Sequence, residues 1–136
     1  MILVDTDYTA SVQRKGAAAA AVEFLQLVVA GKIHQAYDSL VDPNMKHHNP
    51  FFAGDAASLR NAMDENHSQF PAKLLDVLHV FESGDLVAVH SQIRLNQDGP
   101  SIAAVHIFRF EGPRIIELWD IAQPEPANSP NQNGMF

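Results

Sequence analysis

The sequence contains no cysteine. That excludes disulfides, thiolate metal sites and a cysteine nucleophile, and says little about compartment. Basic residues are scarce too: nine Lys and Arg stand against sixteen Asp and Glu, a formal charge of −7. A chain this acidic lacks the electrostatic footprint for nucleic acid or an anionic membrane, and neither is expected as a partner. No run reaches the roughly 20 apolar residues that cross a bilayer. The stretch "RKGAAAAAVEFLQLVVAGKIHQA" superficially resembles a secretion signal, but Glu23 and Gln26 interrupt it and its basic pair lies more than ten residues from Met1. A cytoplasmic protein is the expectation. Also missing are a nucleophile-elbow glycine pattern, an HxH pair, an HExxH motif and any internal repeat.

What is there suits one domain. The 136 residues are 46% apolar and 18% charged, ordinary for a soluble globular protein with a real core. Ser11 can cap a helix running to about Ala30, with Ala17 to Ala21 supplying propensity and Gly31 ending it. Val22, Phe24, Leu25, Leu27, Val28 and Val29 form a broad apolar stripe on that helix. A second helix spans Ile33 to Leu40 and stops at "VDPN". The segment "MKHHNPFFAGD" follows in extended form, because Asn49 precedes Pro50. Asp55 to about Phe70 reads as a third helix, with Leu59 and Met63 on one face and Pro71 beyond its end.

Four strand-like runs follow: "KLLDVLHVFE", "LVAVHSQIRLN", "SIAAVHIFRFE" and "RIIELWDIAQ", separated by "SGD", "QDG" and "GP" turns. Helices first and an antiparallel sheet afterwards predict an α+β domain in which the helices cover one sheet face. A curved sheet closed in this way is a cone, and an unfilled cone is a pocket. The domain is expected over 1–126, with a flexible Pro- and Asn-rich tail over 127–136.

Turn chemistry sets an expected register. With "QDG" as a three-residue loop and Gly99 left-handed, His90 lies across from His106. With Glu111 to Pro113 as the next loop, His106 faces Leu118, and Asp120 is its diagonal neighbour at about 7–8 Å. His90, His106, Phe108, Leu118 and Asp120 would then share the pocket face. Val105, Ile107, Trp119 and Ile121 would form the other, suited to a dimer contact or a second core. A two-residue turn at "QDG" would instead send His90 to the opposite face, leaving the more apolar set Val87, Val89, Ile93 and Leu95 inside.

The segment "MKHHNPFFAGD" is expected to wall this pocket, contributing His48, Asn49 and Phe52, with Met63 from the third helix. Of the adjacent histidines only one can face inward, and His48 is the expected one. A carboxylate buried among apolar neighbours is pushed up in pKa, toward the range useful for proton transfer. With donors nearby, that chemistry is proton abstraction next to a carbonyl, and it calls for no metal and no cofactor. Asp120, His106 and His48 are the candidate catalytic residues; His90, Asn49, Phe52, Met63, Phe108 and Leu118 are candidate ligand contacts. The plainer alternatives are a salt-bridged Asp120, core histidines, or a His/Asp metal site of the zinc or iron type.

The segments "HNPFFAGD", "GDLVAVH", "AAVHIFRFEG" and "ELWDIAQPEP", in this order, resemble the SnoaL-like polyketide cyclase family of the NTF2-like superfamily. The resemblance runs from about residue 17 to 126. It implies an α+β cone, a homodimer through the sheet, and cofactor-free intramolecular aldol cyclisation with Asp120 as acid/base. Two departures accompany it: relatives usually carry His-Trp-Asp where Leu118 precedes Trp119 and Asp120, and often an aspartate at His106. These departures imply an altered substrate, or a non-catalytic binding or scaffold protein.

Overall fold

The computed structural model describes residues 4–136, with side chains from Gly16 onward. The first helix, α1, runs Val4–Val29. Ser11 therefore lies inside α1 rather than capping it; no glycine or proline between Val4 and Ser11 interrupts the helix. Gly31 ends α1 as expected, with φ +82°. Its N–H donates to Val28 O at 3.0 Å, and Lys32 N–H donates to Leu27 O at 2.8 Å, the paired bonds of a Schellman cap. The turn delivers α2, Ile33–Leu40, against α1.

The next segment, β1, is Val41–His47. Its buried positions Val41, Met45 and His47 fall on the odd residues, the spacing of a strand with one covered face. The helix α3 is Ala56–Gln69, capped by Asp55, whose carboxylate accepts hydrogen bonds from Ser58 N at 3.1 Å and Ser58 Oγ at 2.6 Å. Four strands complete the chain: β2 Leu74–Ser83, β3 Leu86–Arg94, β4 Ser101–Glu111 and β5 Arg114–Pro124.

These strands form one curved sheet in the order β1-β5-β4-β3-β2. The sheet is mixed, not purely antiparallel, because β1 pairs in parallel with β5. Pro43 is accommodated there: the β1–β5 register shifts between Val41 and Lys46, so its missing N–H breaks no regular ladder on this edge strand. Three helices on one face of a mixed, open, curved sheet make an α+β cone.

The core fills the narrow part of the cone. Ala21, Phe24, Leu25 and Val28 of α1, spaced i, i+3, i+4 and i+7, meet Ile33 and Tyr37 of α2 and Leu59 of α3. From the sheet come Met45, Val87, Val89, Phe108, Ile115 and Leu118. Phe24 is fully buried and meets Phe108 edge-on, with centroids 5.8 Å apart, and Tyr37 at 5.6 Å. The other face of the sheet carries Val105, Ile107, Trp119 and Ile121, and Ile121 is 55% exposed. Among the described residues, no helix is long and apolar enough to cross a membrane.

Candidate functional site

Strand register decides which polar groups meet. Between β3 and β4 the pairs run from Leu86↔Arg109 to Arg94↔Ser101, placing Val89 across from His106 and His90 across from Val105. The connection is a six-residue loop over 95–100, not the three-residue hairpin expected: Gly99 has no positive φ, and its N–H donates to Asn96 O at 3.1 Å. The register moves by one residue, and an odd shift reverses every side chain of β3. His90 thus lies on the outer face, away from His106. There its Nδ1 is 2.9 Å from Nδ1 of His79. The inner face of β3 holds Val87, Val89 and Ser91, all fully buried.

Between β4 and β5 two deviations offset each other. Gly112, at φ +58°, and Pro113 form a two-residue turn that pairs Glu111 with Arg114. A bulge then leaves Ile116 unpaired, between Phe110↔Ile115 and Arg109↔Glu117. Together they move the register by two, an even shift that preserves the faces. His106, Phe108, Leu118 and Asp120 share the inner face, with Asp120 directly opposite His106 rather than diagonal to it.

The wall segment presents His47, not His48. Because β1 pairs His47 with Leu118, His47 takes the inner face and is 5% exposed; His48, one residue on, points outward. His48 Nε2 is 2.7 Å from Glu117 Oε2, its side chain is 45% exposed, and its ring stacks on Trp119 with centroids 4.9 Å apart. The hydrogen bond from His48, aided by Arg109, holds the Glu117 carboxyl below the usual carboxylate range. This is an outer-face cluster, remote from the pocket. The alternation already visible in Met45, Lys46 and His47 (apolar, charged, polar) was the signal that His47 belongs with Met45.

His47 anchors the loop that follows. Asn49 N–H donates to His47 Nδ1 at 3.1 Å, while His47 Nε2 bonds Ala53 O. One nitrogen accepts and the other donates, the pattern of a neutral ring. Asn49 Oδ1 accepts from Phe51 N–H at 3.0 Å, an Asx turn that orients the amide. Its Nδ2 is left to donate to Asp120 Oδ2 at 2.9 Å. On the other side, His106 Nε2 is 3.2 Å from Asp120 Oδ1. His106 Nδ1 is buried with no partner, as is Ser91 Oγ. The Nε2 side of the ring is the one that faces the carboxylate.

Burial raises the proton affinity of Asp120, but the proximity of His106 and the hydrogen bond from Asn49 outweigh it. The net shift is below the ordinary aspartate value. This corrects the expectation of a raised pKa: Asn49 donates to the carboxylate and His106 lies beside it, and together they stabilise the anion more than desolvation opposes it.

Asp120, His106 and Asn49 line a cavity of about 250 Å³. Its walls are apolar: Leu25, Val28 and Val29 from α1, Leu59, Ala62 and Met63 from α3, and Leu75, Ile93, Ile102 and Ala122 from the sheet. Phe52 stands at the rim, 46% exposed. Phe108 and Leu118 do not reach this space; both are fully buried in the core beneath it, where Phe24 packs. Asn66, on the helix face of Leu59 and Met63, also lines it, as do Leu95 and Lys73, the last not anticipated from the sequence. Neither was Tyr37, whose hydroxyl donates to Met63 Sδ at 3.4 Å; burial pushes its phenol up, Arg60 pulls it back, and the negative charge of Asp120 adds to the rise. Among the described residues, no three His, Asp or Glu side chains converge as a metal site would require.

Comparison with known proteins agrees with this architecture. A candidate polyketide cyclase from Acidithiobacillus ferrooxidans superposes with a TM-score of 0.66 at 19% identity, covering 79% of this chain and 88% of its own. IdmH, a candidate polyketide cyclase from Streptomyces antibioticus, gives 0.66 at 20% identity over 79% and 91%. An NTF2-like protein of unknown function from Cytophaga hutchinsonii gives 0.61 at 21% identity over 76% and 87%. At these identities the likeness is one of fold. No curated protein matches the sequence. The profile of the SnoaL-like domain matches residues 21–118, most of the chain, from the buried face of α1 to the strand that carries Asp120, and the protein belongs to the SnoaL-like family with its NTF2-like cone.

Proposed function

We propose that this protein binds a small apolar carbonyl compound in the cone cavity and catalyses cofactor-free acid/base chemistry on it, intramolecular aldol cyclisation or isomerisation, with Asp120 as the base. The observation that carries this reading is a carboxylate that accepts a hydrogen bond from Asn49 and lies beside the His106 ring at the edge of an apolar cavity. It is available there to a substrate C–H, and closure by an apolar ligand would strip water from it and raise its basicity at the moment of reaction. His106 and Asn49 position the carboxylate. The SnoaL-like fold and neighbours called candidate polyketide cyclases support the reaction class. Relatives carry an imidazole where this chain has Leu118; here His47, paired with Leu118 across β1 and β5, brings an imidazole to the same region.

The test is exchange of the α-protons of 2-tetralone in D2O, followed by NMR. The wild-type protein is expected to exceed buffer, and Asp120→Asn, which keeps the volume but not the base, to lose at least about a hundredfold of the catalysed rate, the lower end of what is typical for a general base. Equal rates would overturn the proposal. The lowered pKa of Asp120 favours one second reading, a non-catalytic binder in which the carboxylate accepts a hydrogen bond from the ligand. Uptake of the ketone without exchange would select it.

A homodimer through the outer sheet face forms part of the same proposal. It is supported by the exposed Ile121 beside Val105, Ile107 and Trp119 on the face opposite the helix-packed core of the described residues. A cytoplasmic setting is supported by the packing of α1: the signal-like stretch supplies Ala21, Phe24, Leu25 and Val28 to the core.

A further inference from the structure

Lys73 is the single Lys or Arg among the described residues lining the cavity. It lies between the end of α3 and the first residue of β2, so the fold fixes its backbone at the rim. Its ammonium donates to Asn66 Oδ1, a neutral acceptor. Among the described residues, no carboxylate lies within 4.0 Å of it. Arg60 and Arg114 are likewise half-buried with no carboxylate partner among the described residues, but of the three it is Lys73 that lines the cavity. Burial alone pushes its amine below the ordinary lysine value. The alkyl stem lies along apolar walls such as Leu75 and Val29 while the head stays polar.

The position of Lys73 relative to Asp120 completes the argument. Asp120 is on β5, and Lys73 precedes β2, three places away in the sheet order. Three strand steps at about 4.8 Å span roughly 14 Å along the curved sheet, and the register sets the start of β2 level with the Pro124 end of β5, beyond Asp120. Both side chains line one cavity with apolar surface between them. An occupant that touches both carries two polar groups about 10 Å apart on an apolar body, allowing for the reach of the side chains.

We infer that Lys73 is the specificity-determining cation of this cavity, and that the ligand is an apolar keto acid: its carboxylate pairs with Lys73 while its carbonyl end meets Asp120, His106 and Asn49. This rests on the function proposed above and adds the charge and length of the substrate. An anion there would supply the counter-ion that Lys73 lacks, in a site where water is partly excluded and the pair is correspondingly strengthened.

The experiment compares 9-oxodecanoic acid with its methyl ester, titrated into the full-length protein by NMR at pH 7. The wild-type protein is expected to bind the acid about tenfold more tightly, a preference that Lys73→Met abolishes and Lys73→Arg retains. Added salt should shrink that preference. A merely structural Lys73 would leave the acid-to-ester ratio unchanged in Lys73→Met, and that result overturns the inference. Equal binding of acid and ester by the wild type, with α-proton exchange still dependent on Asp120, overturns it while leaving the proposed function standing. A protein that takes up neither compound overturns both.

Discussion

Replacing Asp120 by Asn tests the geometry of the site independently of any substrate. The carboxylate accepts from Asn49 Nδ2 at 2.9 Å and lies 3.2 Å from His106 Nε2. In Asp120→Asn, the new amide can offer its oxygen to Asn49, but its NH2 must then face the His106 ring. Asn49 cannot simply flip, because its Oδ1 is held by Phe51 N–H at 3.0 Å. One charge-assisted hydrogen bond becomes an ordinary one and the attraction between the carboxylate and His106 is lost, together about 2–4 kcal/mol destabilising at neutral pH. The pH dependence carries a definite sign. The folded-state pKa of Asp120 is depressed. The ionised group therefore contributes stability that is fully present above the unfolded value of about 3.9 and is lost as pH falls through the lower folded value. Urea denaturation followed by far-UV circular dichroism should show a large gap between wild type and variant at pH 7, closing toward pH 3. A double-mutant cycle with Asn49→Ala should show coupling of at least about 0.5 kcal/mol. A gap independent of pH, together with additive mutations, would refute the account of the site.

Three further outcomes are expected. His47→Ala removes the acceptor that holds Asn49 N–H and should slow Asp120-dependent exchange several-fold, whereas His48→Ala, on the outer face, should leave it near wild type; comparable losses would contradict the register of β1. Gly31→Ala places a residue with a side chain at φ +82° and a Cβ 2.2 Å from the His67 ring, so denaturation should show a loss above the roughly 1–2 kcal/mol of the left-handed conformation alone, partly recovered with His67→Ala. Ile121→Asp should convert a sedimenting dimer to monomer without loss of secondary structure; an unchanged mass would place any dimer contact elsewhere.

The elements were legible in the chain because their signals are local. The Schellman cap at Gly31, the limits of α2 at Ile33 and Leu40, the Asp55 cap and the four late strands each follow from a few neighbouring residues. The start of α1 was not, since Ser11 is an adequate cap only where the helix lacks a better reason to begin earlier. The parallel pairing of β1 was hidden as well: a seven-residue strand containing Pro43 announces itself poorly, and its partner lies far along the chain.

The site divides along the same line. Asp120, His106 and Asn49 were singled out by residue type and order, and their face depended on a β4–β5 shift that happened to be even. His90 was misplaced by an odd shift of one residue in the loop over 95–100, and His48 by choosing the wrong member of an adjacent pair. Phe108 and Leu118 share the predicted face yet belong to the core, because face parity says nothing about depth within a cone. Lys73 and Tyr37 carry no motif at all; only the packing of α2 and the entry to β2 over the sheet gives them their places.

The sequence by itself determined the helices, the strands and the chemical types available for a site, since caps, turns and periodicity act over a few residues. Tertiary structure alone decided which of those groups meet, how deep they lie and how the carboxylate is poised. Strand register alternates with every residue, and the balance of desolvation against hydrogen bonding depends on neighbours brought from distant parts of the chain.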